Sequence, residues 1–340
     1  MSISESARQR FNAWGRERRP FVFVIPYDEA LPCVLEALDE PGDVFYALPS
    51  AQRLPEGSPL PEPVLWEPEF LPRPLYERAF EKVQYHLRRG DSYLTNLCMA
   101  TPLRSNLSLE QIFLRARAPY RVLVRGLFTC FSPELFVRMD GNAVTTCPMK
   151  GTSPADGDAE PEALLADEKE RREHATVTDL LRNDLAMVGQ GVQVRRYRYA
   201  ERIVTQQGDL WATSSEVEAR LPDDWRDRLG DLLGALLPAG SVTGAPKART
   251  CRVIAEAEPQ SRGYYTGVFG VFDGRELESA VSIRFVEQVG EGRFLYRSGG
   301  GITTLSDVRE EYDELCRKVY LPFDPAEEGA EARRGGADAF

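Results

Sequence analysis

The chain has 340 residues, 42% of them hydrophobic, enough to bury a sizeable core in one large domain or two ordinary ones. A formal net charge of −11 argues against a nucleic-acid or anionic-membrane surface, which needs clustered Lys and Arg, and favours a small soluble substrate. No stretch approaches the ~18 apolar residues of a membrane span, and the polar start MSISESARQRF has no apolar signal core, so a cytoplasmic protein is expected.

In chain order, PFVFVIPY and DVFYALP read as short buried strands, followed by a Pro-rich loop or linker, EGSPLPEPVLWEPEF. Leu75, Ala79, Phe80, Val83 and Leu87 recur at helical spacing, which predicts a helix from Pro74 to Arg89 stopped by Gly90. Strands are predicted in SYLTNLCMATPL, YRVLVRGLFTCFSPELFVRM and AVTTCPM. A helix is expected from Glu162 to Val188, then a strand in GVQVRRYRYAERIVTQ, then a helix in WRDRLGDLLGALLPAG stopping at Gly240. GYYTGVFGVFDG, ESAVSIRFVEQVG and RFLYRSGGGI read as strands, and a last helix spans Val308 to Tyr320, with Asp307 and Glu310 at capping-box spacing. The tail from Asp324, rich in Glu, Ala, Gly and Arg, is expected to be disordered. There is no internal repeat, and strand runs without strict βαβ alternation predict an α+β fold with much antiparallel sheet.

With only His86 and His174 available, a multi-histidine metal site is excluded and carboxylates must do any metal binding. Six cysteines without C-x-x-C spacing read as reduced core thiols. Glu170 and Glu173 are three apart, and Glu173 shares a helix face with Val177, Leu180 and Leu181; Glu311 and Glu314 repeat the arrangement beside Lys318. Four carboxylates on two helices suit a hard cation such as Mg²⁺. Spacing alone nevertheless favours two solvated helix faces, with Lys318 pairing Glu314.

The run PAGSVTGAPKAR places Gly244 where exposed N–H groups could cradle an anion, although it is no P-loop. GGGI, residues 299–302, offers a second close backbone approach. Arg284 is a cation inside a strand-like run and suits a carboxylate partner. Glu134 in FSPELF and Lys150 in CPMKGT sit beside apolar strands, where burial would raise the acid's pKa and lower the lysine's. Each signal alone has a plain alternative: a turn, a surface strand position, a strand-end charge.

In order along residues 75–322, SPELF, PMKGT, DEKERREH, DLLRNDL, GSVTGAPK, GYYTGVFG, SIR, GGGI and EEYDELCRKV resemble the chorismate-utilising enzymes: anthranilate synthase component I, aminodeoxychorismate synthase component I, isochorismate synthase and salicylate synthase. The resemblance implies a β-sandwich of two mainly antiparallel sheets surrounded by helices, a single chorismate-binding catalytic domain over 1–323 with a shortened portion before residue 75, and Mg²⁺ as cofactor. It implies Glu173 and Glu314 as direct metal ligands, with Glu170 and Glu311 holding metal-bound water. Thr243, Gly244, Tyr265, Arg284, Gly299, Gly301 and Lys318 match positions that hold the substrate's carboxylates, and Glu134 matches the general acid that helps expel the C4 hydroxyl.

Two positions sort the subfamilies. Water-adding members carry a lysine base where this chain has Leu94, which disfavours isochorismate or salicylate chemistry. Anthranilate synthases usually carry alanine where this chain has Lys150, whereas KGT marks aminodeoxychorismate synthases, in which the lysine adds at C2 and ammonia then adds at C4. The expected activity is therefore that of aminodeoxychorismate synthase component I, in 4-aminobenzoate and folate biosynthesis. Anthranilate synthase component I is the nearest rival, and a catalytically inactive binding or regulatory homologue is a rival of another class. PMKGT in place of the common isoleucine form motivates the latter, as does a family histidine whose place here falls at about Asp209 or Gly208. No LLES feedback motif is present, so tryptophan inhibition is not expected. No G-x-C-x-G glutaminase nucleophile is present, so ammonia is expected from a separate glutamine amidotransferase subunit or from free ammonium.

Overall fold

In the strand Phe21–Ile25 all five residues are buried, so side-chain alternation sends two different sets of apolar residues to its two faces. Phe21, Phe23 and Ile25 join Phe11, Trp225, Leu229, Leu233 and Phe272 in a core roofed by the helices Glu5–Arg16 and Leu229–Leu236. Val22 and Val24 point the other way, into a core shared with Val122, Val124, Phe128, Phe269 and Phe285. That second core lies between two sheets. The computed structural model, which describes residues 3–155, 161–203 and 210–324, has this four-layer order throughout.

The first sheet runs Gln190–Ile203, Leu210–Arg220, Ala143–Thr146, Leu135–Asp140, Leu277–Val281, Val268–Phe272, Phe21–Ile25 and Val34–Ala37, with Met149–Pro154 continuing the line of Ala143–Thr146 along Leu210–Arg220. The second runs Gly244–Ala245, Leu94–Ser105, Arg293–Ile302, Phe285–Gly290, Phe128–Ser132, Tyr120–Val124, Val44–Ala47 and Gln52–Arg53, with Trp66–Pro68 also along Leu94–Ser105. The pairings are antiparallel. On the outer face of the second sheet pack Leu109–Arg115 at one end and the helices Arg73–Arg88, Lys247–Ala257 and Val308–Arg317 at the other. The α+β sandwich with surrounding helices is thus the observed architecture.

Several expected elements differ in detail. The helix expected over Glu162–Val188 is two, Glu162–Ala166 and Glu168–Ala186, because Asp167 turns extended and its carboxylate caps the second helix at Glu170 N–H. The helix expected to stop at Gly240 begins as a 3₁₀ turn, Trp225–Arg228, and ends at Leu236, since Leu237 precedes Pro238 and is extended. ESAVSIRFVEQVG is not one strand: Leu277–Val281 belongs to the first sheet and Phe285–Gly290 to the second. Arg284 therefore lies in a crossover, with φ of 55°, and not inside a strand. Glu5–Arg16, Leu109–Arg115 and Lys247–Ala257 are helices that the apolar pattern does not announce. The tail beyond Asp324 and the positions Gly208 and Asp209 lie outside the described residues.

Candidate active site

Ala143–Thr146 and Met149–Pro154 follow one another along the same edge of Leu210–Arg220, interrupted at Pro148, whose carbonyl accepts from Ser215 N–H at 2.9 Å. Met149 pairs with Ser214 but Thr152 with Ala212, so two residues, Lys150 and Gly151, stand opposite Thr213 alone. This is a bulge, and Gly151 supplies the left-handed conformation it needs, at φ of 88°. Thr213 Oγ1 donates to the Lys150 carbonyl and pins the bulge. The extra residue re-aims Lys150 toward the helix Glu168–Ala186, where its Nζ lies 2.9 Å from Glu173 Oε2. Glu170, one turn earlier, closes over the bulge: its Oε2 is 2.7 Å from where a side chain on Gly151 would begin.

The second pair of glutamates arrives from the helix Val308–Arg317, capped by Asp307, which accepts from Arg309 and Glu310 N–H. Glu314 Oε1 holds Lys318 Nζ at 2.6 Å, and the same ammonium donates to the Gly299 carbonyl at 2.7 Å, tying the helix to the glycine strand. Glu311 Oε2 faces Gly300, 3.2 Å from where a side chain would start. The two helices face each other across Lys150, whose charge is felt by Glu173, Glu314, Glu170 and Glu311. Burial pulls the Lys150 ammonium down, but Glu173, Glu314 and Glu170 outweigh it and its pKa is raised. The expectation of a depressed Lys150 is corrected accordingly. The lysine held down is Lys318, where burial prevails over Glu314. Glu170 and Glu311 are raised, first by burial and then, against the pull of nearby lysines, by the neighbouring carboxylates.

Four carboxylates against two ammonium groups leave a surplus of negative charge in a partly buried space, and the all-oxygen donor set matches a hard divalent cation. The residues fit such an ion chemically. Among the described residues no three His, Cys, Asp or Glu side chains stand close enough together to hold a metal, and Lys150 and Lys318 are paired with Glu173 and Glu314.

Glu134 and Arg284 sit on two of the short segments where the chain passes from one sheet to the other, Pro133–Glu134 and Ser282–Arg284. The crossovers are laced together: Val281 N–H donates to the Glu134 carbonyl and Phe131 N–H to that of Arg284, each at 3.1 Å. Burial pushes the Glu134 carboxyl up, against the opposing pull of a hydrogen bond from Ser241 Oγ and the Arg284 charge. This is the direction expected for a general acid.

The loop Gly240–Ala245 does not form the open cradle expected from its composition. Thr243 and Gly244 are buried, and Gly244–Ala245 pairs as a short strand with Leu94–Thr95. A side chain at Gly244 would begin 1.8 Å from the Leu94 carbonyl, so only glycine fits there, at φ of 129°. Thr243 Oγ1 is turned inward to the Ala239 carbonyl at 2.7 Å. Leu94 leans on Gly301, its Cδ1 3.1 Å from that residue's side-chain position. Tyr265 is buried behind this wall, near Cys98. The structure thus brings Lys150, the four glutamates, Lys318 and Gly299 to one place and Glu134 with Arg284 beside it, whereas the Thr243 hydroxyl is engaged elsewhere.

Three supporting groups escaped sequence reasoning although their motifs were in view. His174, next to Glu173, is fully buried, with Nε2 2.6 Å from Ser215 Oγ and Nδ1 3.4 Å from Thr213 Oγ1, the hydroxyl that pins Lys150. Burial holds its pKa down, so it serves as a neutral hydrogen-bonding strut. Ser241 is the hydroxyl on Glu134. Asp184 and Lys247, from DLLRNDL and GAPK, form a buried ion pair at 2.8 Å that ties the glutamate helix to the loop carrying Ser241, Thr243 and Gly244.

Residues 28–323 match the chorismate binding enzyme family. The chain belongs to that family and is a chorismate-utilising enzyme. It is 46% identical over 331 residues to an "Uncharacterized PabA-like protein" of Haemophilus influenzae, covering 96% of this chain and 100% of the relative. It is 32% identical over 301 residues to aminodeoxychorismate synthase component 1 of Salmonella typhimurium, covering 84% of this chain but 64% of that one. With anthranilate synthase component 1 1 of Haloarcula marismortui it shares 37% over 254 residues, 70% of this chain and 50% of the other. The chain thus spans about half to two-thirds of the length of these two named synthases. Among solved structures, anthranilate synthase component I from Streptococcus pneumoniae superimposes with a TM-score of 0.63 at 28% identity, over 76% of this chain and 59% of that one. The menaquinone-specific isochorismate synthase MenF of Escherichia coli has a TM-score of 0.73 at 19% identity, over 95% and 83%, and speaks to the fold alone. No helix among the described residues is long and apolar enough to cross a membrane.

Proposed function

We propose that the chain is the chorismate-aminating component of aminodeoxychorismate synthase, forming 4-amino-4-deoxychorismate from chorismate and ammonia. The observation that carries the proposal is Lys150, delivered by the Gly151 bulge into the space between the two glutamate pairs with its Nζ 2.9 Å from Glu173. In this reading the Lys150 amine forms a bond to C2 of the ring as the C4–oxygen bond breaks, and Glu134 gives its proton to the departing hydroxyl. Ammonia then bonds to C4 and expels the lysine from C2, which restores the free amine. The raised pKa of Glu134 keeps a proton available for the first departure. The ammonium form of Lys150 must lose a proton before it can attack, and Glu173 is the base within reach. Glu173 and Glu314 would hold Mg²⁺, with Glu170 and Glu311 on its water; the ion supplies positive charge for the ring carboxylate. Arg284, Lys318 and the backbone of Gly299 and Gly301 would receive the substrate's carboxylates. Ammonia would come from a separate glutaminase subunit.

The similarity to the anthranilate synthase is higher in identity than that to the aminodeoxychorismate synthase, 37% against 32%, though over 254 residues against 301, so the rival reading is anthranilate formation. Lys150 favours the first. The test is product mass after incubation with chorismate, Mg²⁺ and ammonium at high pH, with and without an aminodeoxychorismate lyase. Expected is an aminated product that becomes 4-aminobenzoate only with the lyase, and that is lost in Lys150→Ala. Fluorescent anthranilate without a lyase would overturn the assignment. Turnover unaffected by Lys150→Ala would overturn the covalent step, and no turnover even with a glutaminase would favour a binding role.

A further inference from the structure

The strand Leu94–Ser105 is an interior strand for only part of its length. Arg293–Ile302 pairs with one edge from Thr95 to Arg104. On the other edge Gly244–Ala245 covers Leu94 and Thr95, and Trp66–Pro68 covers Leu103 to Ser105. Between those two short partners no strand among the described residues lies along the outer edge. Its N–H groups recur at every second residue: Asn96 donates to the Thr243 carbonyl at 2.8 Å and Cys98 to Glu258 Oε1 at 2.9 Å. The next of that parity is Ala100. After it comes Pro102, which has no N–H to satisfy and whose carbonyl accepts from Glu69 N–H. Arg262 takes the Asn96 carbonyl at 2.7 Å. Among the described residues no hydrogen bond closes the Ala100 N–H, or the Cys98 and Ala100 carbonyls, on this side.

That open edge is one wall of a cavity of about 390 Å³, the size of a small-metabolite site. The opposite wall is apolar, from Leu71, Leu75 and Ala79. Leu75, expected in the core from helical spacing, is 43% exposed because it stands at this mouth. The lining carboxylate, Glu258, is neutralised by Arg262 at 2.6 Å, and Arg297 is neutralised by Glu287 at 2.8 Å. Arg78 and Lys82, one turn apart on the helix, form no ion pair among the described residues and leave the mouth positive.

We infer that this cavity is a second ligand site, for a small α-amino or α-hydroxy carboxylate with an apolar side chain. The carboxylate takes the Ala100 N–H and the Arg78 charge. The adjacent amine or hydroxyl donates to the Cys98 or Ala100 carbonyl, and the side chain fills the space along Leu71, Leu75 and Ala79. A peptide strand does not fit, because Glu258 already occupies the Cys98 N–H and only one residue's length of edge is open. The back wall bears on the candidate active site: Cys98 Sγ is 2.6 Å from the side-chain position of Gly299, whose carbonyl holds Lys318.

The inference does not depend on which reaction the enzyme catalyses, since its test is binding. The full chain would be titrated calorimetrically with L-phenylalanine, L-phenyllactate and phenethylamine, each with and without saturating chorismate. Either acid or both should bind, unaffected by competition with chorismate at the same site, and phenethylamine should not. Arg78→Glu, an exposed substitution, should weaken binding about tenfold or more, the effect of one lost charge-assisted contact. Ala100→Pro should abolish it while keeping the fold, as the neighbouring Pro102 does at the same parity; if that variant does not fold, Leu75→Glu at the mouth replaces it. No binding of either acid at millimolar concentration, simple displacement by chorismate, or binding insensitive to Arg78→Glu would each overturn the site.

Discussion

Asp184→Ala should be one of the most damaging single substitutions outside the hydrophobic core. Its carboxylate is 9% exposed and Lys247 18%, with Oδ1 2.8 Å from Nζ, while Oδ2 faces the Gly240 backbone without a hydrogen bond. Burial pushes the Asp184 carboxyl up despite Lys247, so desolvation of the pair is substantial. Removing the acid strands the ammonium with only the Leu236 carbonyl, at 2.9 Å. Breaking a buried pair in this way costs ~3–5 kcal/mol. With an unfolding entropy of about 2.1 cal/mol/K per residue, the 340-residue chain has a slope of ~0.7 kcal/mol/K, so the melting temperature should fall by ~4–7 °C. Lys247→Met should cost a similar amount, whereas Asp184→Leu with Lys247→Met should recover most of the loss, because neither charge is then stranded. Thermal melts of the two singles and the double form the cycle. Turnover should drop in all three, since the pair holds the loop of Ser241, Thr243 and Gly244 to the glutamate helix. Additive losses in the double variant, or a single-variant shift near 1 °C, would refute the argument that the pair is a clamp.

Three further outcomes follow from the site. Gly151→Ala forces a side chain into φ of 88° and toward Glu170 Oε2 at 2.7 Å, so ~1–2 kcal/mol of stability should be lost along with a larger share of amination, by melts and product assay; unchanged activity would mean the bulge does not aim Lys150. Because burial raises the Glu134 carboxyl in the folded state, its favourable contribution is present below the unfolded pKa and is lost as pH rises through the folded value. Glu134→Gln should therefore gain stability relative to the parent as pH increases from about 4 to 8 while turnover falls, and a difference constant over that range would contradict the shift. Mg²⁺ at about a hundred times its Kd should stabilise by ~2.7 kcal/mol, or ~4 °C here; Glu314→Gln should erase that shift, and an equal shift in the variant would place the ion elsewhere.

Much of this architecture is legible in local pattern. The alternation of Phe21, Phe23 and Ile25 against Val22 and Val24 announces a strand buried on both faces, and both layers exist. The motif series also singles out the glutamate pairs and Lys150, which the fold brings near one another. What local pattern does not carry is where the chain changes its mind. A strand-like run with Arg284 in it gives no sign that the chain leaves one sheet for another there, because both halves are equally apolar. The break at Asp167 is hidden because helical spacing resumes in phase on the far side. Contacts across long stretches are hidden for a different reason. Ser241 reaches Glu134 across 107 positions, and only the fold brings them together.

The same distinction decides the chemistry of Lys150. Its own neighbours in sequence, Met149 and Gly151, argue for a half-buried amine with a lowered pKa, which is a local statement about desolvation. The charges that reverse it come from Glu173 and Glu170 on one helix and Glu314 on another. Those acids are the proposed cation ligands, so the field that keeps Lys150 protonated is the same field that a divalent ion would neutralise. On that reading, nucleophilicity and metal binding are one equilibrium. A lysine tied to Glu173 is a poor nucleophile, and an enzyme that waits for its cation and anionic substrate before releasing that lysine avoids offering a reactive amine when no substrate is bound.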